Sequence, residues 1–116
     1  MQPVTLPESG YSVRFKPHYT HRVERAFKEA LSKGLTLRQE GGQMVVDTVS
    51  ADALDRAVEA ALEHLVESIT KDGQTTPFSV DWLLELPERD FDALRQAVNS
   101  ARDTNEGKKA AGKKNP

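Results

Sequence analysis

The stretch Ser79-Val80-Asp81-Trp82-Leu83-Leu84-Glu85-Leu86-Pro87-Glu88-Arg89-Asp90-Phe91-Asp92-Ala93-Leu94 holds the only tryptophan of the chain and its densest apolar cluster. Its punctuation is what constrains the fold. Ser79 suits the N-cap of a short helix, Pro87 must end that helix, and the same proline suits the first position of a second one. Phe91, Leu94, Ala97 and Val98 then share one face of the second helix, so the chain is expected to turn an αα-corner at residues 85–87. At about 100° per residue, positions 82–84 sweep roughly 200° of the first helix, more than one internal surface covers easily. Either this turn is buried on two sides, against a long helix and the final helix, or part of it faces another chain.

The remaining pattern is mixed. Val4, Leu6, Tyr11, Val13 and Phe15 alternate with polar positions around Pro7-Glu8-Ser9-Gly10, which predicts a β-hairpin with Pro3, Pro7 and Pro17 at strand ends. Val23, Ala26, Phe27, Ala30 and Leu31 repeat at helical spacing, predicting a helix from about 18 to 33 stopped by Gly34 in the C′ position. Leu35-Thr36-Leu37, Gly41-Gly42 and Met44-Val45-Val46 suggest a second hairpin. After Ser50 as N-cap, the stripe Leu54, Val58, Ala61, Leu62, Leu65, Val66 and Ile69 predicts the longest helix, over about 51–70, followed by a loop over 71–77. The fold class is therefore α+β: one or two N-terminal hairpins packed with three to four amphipathic helices, in a single domain over 1–102.

Composition enters at the ends of that domain. Of a net charge of −2, Lys108, Lys109, Lys113 and Lys114 against Glu106 give residues 104–116 a charge of +3, leaving −5 for residues 1–103. Residues 103–116 contain no large apolar side chain and are expected to form a disordered basic tail. An acidic body argues against a dedicated duplex-DNA binder, because phosphate neutralisation supplies most of the affinity of such proteins, and nucleic acid is disfavoured as a partner. With no cysteine, thiolate catalysis, disulfides and cysteine-bound zinc are excluded. No run of about 18 apolar residues and no basic-then-apolar N-terminus is present, so no membrane partner is expected and a cytoplasmic location is the default.

Candidate chemistry is thin. His18 and His21, with Glu24 three residues further on, have a spacing that suits one face of a metal site; ordinary surface histidines explain them more simply. The pairs Asp52/Asp55, Glu59/Glu63 and Asp90/Asp92 invite acid–base catalysis but read as solvated charges beside Arg56, Arg89 and Arg95. No catalytic, metal-ligating or cofactor-binding residue is assigned, no cofactor is expected, and the chain is read as non-enzymatic.

The order Leu65-Val66-Glu67-Ser68, a loop with Asp72-Gly73 and Pro77, then Leu83 and Leu86-Pro87-x-x-Asp90-Phe91-x-x-Leu94 resembles the small tail assembly chaperones encoded by tailed bacteriophages and prophages, just before the tape-measure gene. Val4-Thr5-Leu6-Pro7 with its following turn resembles their opening. The resemblance spans about residues 3–100 in layout, with its motif at about 62–98. It implies a role in a bacterial host cell, binding the aggregation-prone tape-measure protein or other tail proteins while tube subunits assemble. The residues it points to as protein-binding are Trp82, Leu83, Leu84, Phe91 and Leu94. Such families commonly make a longer product by programmed frameshifting, and Gly107-Lys108-Lys109 and Gly112-Lys113-Lys114 are encoded by GGN-AAR-AAR, codons able to form a slippery run. Two other readings stay open: a structural virion part such as a tail-completion or connector subunit, and a small regulator touching nucleic acid through the tail. Self-association is left open as well.

Overall fold

A computed structural model describes residues 1–50 and 52–114, the backbone alone at 36–38, 40, 44–49 and 105–114. Position 51 of the expected long helix and positions 115–116 of the expected tail lie outside the described residues. The chain runs β1 (Val4–Thr5), β2 (Ser12–Phe15), α1 (His21–Lys33), β3 (Leu35–Glu40), β4 (Gln43–Val49), α2 (Ala53–Leu65), β5 (Val66–Lys71), β6 (Gln74–Thr76), α3 (Val80–Leu84) and α4 (Glu88–Lys114). The class is α+β, as the sequence predicts.

The first hairpin forms as expected, with Val4 opposite Val13, and β2 continues the sheet by pairing antiparallel with β5. The full sheet has the order β1-β2-β5-β6. Val13, Phe15 and Ile69 are buried while Arg14 and Glu67 are exposed, so a single face of the sheet meets the helices. Val23 and Phe27 of α1, Val58, Leu62 and Leu65 of α2, and Leu94 and Val98 of α4 complete one continuous core.

The structure corrects the expected long helix and the loop after it, and α4, not α2, is the longest helix. α2 ends at Leu65 and not near residue 70, because Val66 leads directly into β5. The segment expected as a loop over 71–77 is instead the turn and second strand of a β5–β6 hairpin, with Thr70 opposite Thr75. Asp72 and Gly73 both adopt left-handed backbone, φ 52° and 78°, the pairing a two-residue type I′ turn requires. β-branched Val66, Ile69 and Thr70 favour the strand. At the other end of α2, Asp52 and not Ser50 is the N-cap residue, and the Ser50 hydroxyl donates to Asp52 Oδ1 at 3.0 Å.

α1 begins at His21, later than expected, because the Thr20 hydroxyl accepts the Val23 N–H. Gly34 ends it without left-handed backbone, at φ −94°. What demands glycine there is space: a Cβ would collide with that of Ala53 and lie 2.8 Å from Ser50 Oγ. This contact brings the end of α1 against the start of α2, and the two helices pack along their length. Ser50 N–H donates to Gly34 O at 2.8 Å and closes the base of a two-stranded ribbon, β3–β4, which turns at Gly41-Gly42. The second hairpin of the sequence reading is this ribbon. It lies in a sheet of its own.

The basic stretch expected as a tail follows the backbone of α4 to Lys114. Its division from the body is one of packing. Arg102 is the last described side chain with an ion pair to the body, gripping Glu24 through Nε at 2.8 Å and a second nitrogen at 3.2 Å. Among the described residues no helix is long and apolar enough to cross a membrane.

Candidate protein-docking site at the α3–α4 corner

The αα-corner is built by short-range bonds. Ser79 Oγ accepts the Trp82 N–H at 3.0 Å, and the Pro87 carbonyl accepts the N–H groups of Asp90 and Phe91 at 2.9 and 3.1 Å. Pro87 thus sits just ahead of α4, where its missing N–H leaves nothing unpaired. Asp90, one turn into α4, is wholly buried and accepts the backbone N–H groups of Glu8 and Ser9 at 2.8 and 2.9 Å. Burial by itself would raise its carboxyl; the amides of Glu8 and Ser9 outweigh burial and hold it below the usual range. The reading of Asp90 as a solvated charge is corrected: it locks the first hairpin turn to the start of α4. Its pair-mate Asp92 does match that description, accepting from Gln96 and facing Arg95, as does Asp52 beside Arg56.

The five residues singled out from the sequence separate into two groups. Leu83 and Leu94 are core side chains, 2% and 0% exposed, and offer no surface in this state. Leu84 is 64% exposed, and Val80, one turn earlier on the same face of α3, is 43% exposed. Trp82 is half-buried, edge-on to Tyr11 at 5.5 Å between ring centres and to Phe78 at 6.1 Å. Phe91 is half-buried beneath the Arg95 guanidinium, 5.3 Å from its ring centre. The wide apolar arc of α3 is therefore divided: Leu83 and most of Trp82 pack inward, while Val80 and Leu84 are exposed.

A cleft lies on each side of α3. One, of about 160 Å³, has an apolar floor of Leu83, Leu84, Leu86 and Phe91. The carboxylates of Asp55, Glu59 and Glu88 rim it. The other, of about 400 Å³, is walled by Tyr11, Trp82, Leu86 and Pro87 and carries Asp81 and Glu85. Arg95 stands 3.7 Å from Asp55. Among the described residues Glu59, Asp81, Glu85 and Glu88 form no ion pair. Burial first, and then the charge of Asp55, raise the Glu59 carboxyl. Asp55 and Glu59 belong to the cleft although the sequence reading paired them with other carboxylates; their spacing of four on α2 is the available signal.

The histidine constellation does not assemble. Glu24, its third member, is held by Arg102 and by the Tyr19 hydroxyl at 2.8 Å, and the Arg102 guanidinium lies 3.9 Å over the Phe27 ring. The hydrogen bond from Arg102 leads the causes that lower the Glu24 carboxyl, and burial together with Glu24 raises the Tyr19 hydroxyl. A larger groove of about 520 Å³ runs between the N-terminal segment and α4, with Val4, Pro17, Tyr19 and Ala97 among its walls.

Set against known proteins, the chain matches no family model, no curated protein and no solved structure.

Proposed function

We propose that the chain is a non-enzymatic assembly chaperone of the kind tailed bacteriophages and prophages encode, binding a tape-measure or other tail protein in the bacterial host cell. The resemblance of Leu86-Pro87-x-x-Asp90-Phe91-x-x-Leu94 to such proteins suggests the class. The observation that carries the docking role is Leu84, a large apolar side chain standing exposed on a short helix that is capped by Ser79 and seated on the core through Leu83. A surface held this rigidly loses little entropy when it binds. Trp82 and Phe91, half-buried beside it, extend the apolar area with aromatic residues of the kind that dominate interfaces.

The test is co-expression of the full chain with the product of the gene that follows its own, which this reading expects to be a tape-measure protein. The partner is expected to stay in solution and co-purify with the chain, and Leu84→Asp is expected to abolish this while leaving the fold intact. Retention of the complex by Leu84→Asp would remove the corner from the reading. A minor, longer product departing at a Gly-Lys-Lys site, sought by mass spectrometry of the native gene with its downstream DNA, would add independent support. The β3–β4 ribbon, with two unpaired edges, favours a second reading as a structural virion subunit. Mature particles distinguish the two, since a chaperone leaves them and a subunit remains.

A further inference from the structure

We infer that the α3–α4 corner takes a basic amphipathic helix of a partner protein; the inference rests on the docking reading above and specifies the chemistry of what docks. Two observations set it. The first is charge. The two clefts flanking α3 are lined by Asp55, Glu59, Asp81, Glu85 and Glu88, and among the described residues no lysine or arginine lines either one. Only Asp55 among these carboxylates has a described cation within ion-pair distance. Glu59 already sits where burial and Asp55 disfavour its charge, so a cation arriving there relieves a repulsion as well as adding an attraction.

The second observation is shape. Val80 and Leu84, exposed and four residues apart on α3, form a short ridge, and Leu84 also lines the smaller cleft; this is the relief a helix presents to another helix packing ridge into groove. A partner helix with apolar residues at i, i+3, i+4 and i+7 straddles that ridge, and lysines or arginines flanking its stripe meet the carboxylates on both sides. An added strand finds no edge here, because the corner is helical. Nucleic acid is disfavoured by the carboxylates. The tail lysines of this chain do not fit the part: the stretch after Arg102 has no large apolar residue to fill the hollows, and α4 carries its lysines about 30–40 Å from Pro87.

The probes are two synthetic peptides of about 18 residues, long enough to form helix. Both carry the same leucine stripe, flanked by lysines in one and by glutamates in the other. Titrated into the full chain and followed by Trp82 fluorescence and calorimetry, the lysine peptide is expected to bind at least about tenfold more tightly, a difference of about 1.4 kcal/mol. That preference is expected to shrink as salt is raised, and to reverse in the double variant Glu59→Lys, Glu85→Lys. Leu84→Asp is expected to abolish binding of either peptide, with circular dichroism confirming an unchanged fold.

Equal binding of both peptides, lost in Leu84→Asp, would overturn the charge rule and leave the docking surface standing. Binding that survives Leu84→Asp would overturn the site. No binding of either peptide would overturn the inference, while co-purification with the tape-measure protein judges the chaperone reading separately. A proline-rich basic peptide binding as tightly as the lysine helix would overturn the helical claim. Concentration-dependent dimerisation abolished by removal of residues 104–116 would identify the occupant as the tail of a second copy and overturn the proposed partner.

Discussion

Asp90 shows what one side chain does in a small domain. Its carboxylate closes the gap between α4 and the turn Pro7-Glu8-Ser9-Gly10 by accepting two backbone N–H groups that have no alternative partner of comparable strength. Asp90→Ala leaves those amides orphaned beside a void, so it is expected to destabilise the fold by about 3 kcal/mol in urea denaturation at pH 7. The pH dependence follows from the direction of its shift. A carboxyl lowered in the folded state contributes its stability above the ordinary carboxylate range, near pH 4, and loses it as pH falls through the lower folded value. The difference between wild type and Asp90→Ala is therefore expected to be full at pH 7 and to shrink toward pH 2. Gly34 gives a second expectation at this scale. Its φ of −94° suits any residue, so Gly34→Ala would ordinarily stabilise by restricting the unfolded chain. The collision with Ala53 reverses the sign, and a loss of about 1–3 kcal/mol is expected on thermal denaturation. Neither effect is legible in the sequence. The partners of Asp90 are backbone groups some eighty residues away, and the crowding at Gly34 exists only once α1 and α2 have met. A glycine after a helix suggests a left-handed cap from local information alone, and here the local signal points to the wrong cause.

At the scale of elements, what could be read was what local chemistry decides alone. The first hairpin, the amphipathic face of α1, the Ser79 cap and the break at Pro87 each follow from residues within one or two turns. The α2–β5 junction shows the limit of that logic. Leu62, Leu65, Val66 and Ile69 satisfy a helical period as well as they satisfy a helix followed at once by a strand. The choice falls to the sheet, where β5 pairs on both sides and Lys16 N–H finds Leu65 O at 2.8 Å. Asp72-Gly73 between β-branched flanks was the readable sign of that hairpin. The docking corner was half legible: its residues cluster in sequence, but Leu83 and Leu94 cannot be told from Leu84 by type, and burial separates them only after α2 and α4 close on α3. The rigidity of the corner is testable through its cap. Ser79→Ala removes the acceptor for the Trp82 N–H and is expected to weaken α3 by about 1 kcal/mol, read as a roughly fivefold loss of hydrogen-exchange protection at Trp82 and Leu83. An unchanged exchange rate would mean that packing of Leu83 alone holds the helix, and the cap would then have no part in presenting Leu84.

For the whole molecule the question is where the ordered body ends. α4 is continuous in backbone to Lys114, yet its side chains divide it into two parts with different physics. Up to Arg102 it is held by buried Leu94 and Val98 and then by a latch, in which Arg102 grips Glu24 with two nitrogens, covers the Phe27 ring and shares Glu24 with Tyr19. The latch joins the last helix of the body to the first. Beyond it the sequence has no large apolar residue to bury, and helices whose stability rests on propensity alone are marginal in water. Two variants separate these parts. Removal of residues 104–116 is expected to leave the unfolding free energy unchanged within about 0.5 kcal/mol. Arg102→Ala in the full chain is expected to lower it by about 1–2 kcal/mol, because it removes a charge-assisted pair and the cover of Phe27 while Glu24 keeps Tyr19 and Lys28. Glu24, held below its ordinary range chiefly by Arg102, contributes in the same pH sense as Asp90, so the cost of Arg102→Ala should also fade in acid. A truncation that destabilised as much as Arg102→Ala would show that the basic stretch belongs to the folded body, and the body would have to be extended past the latch.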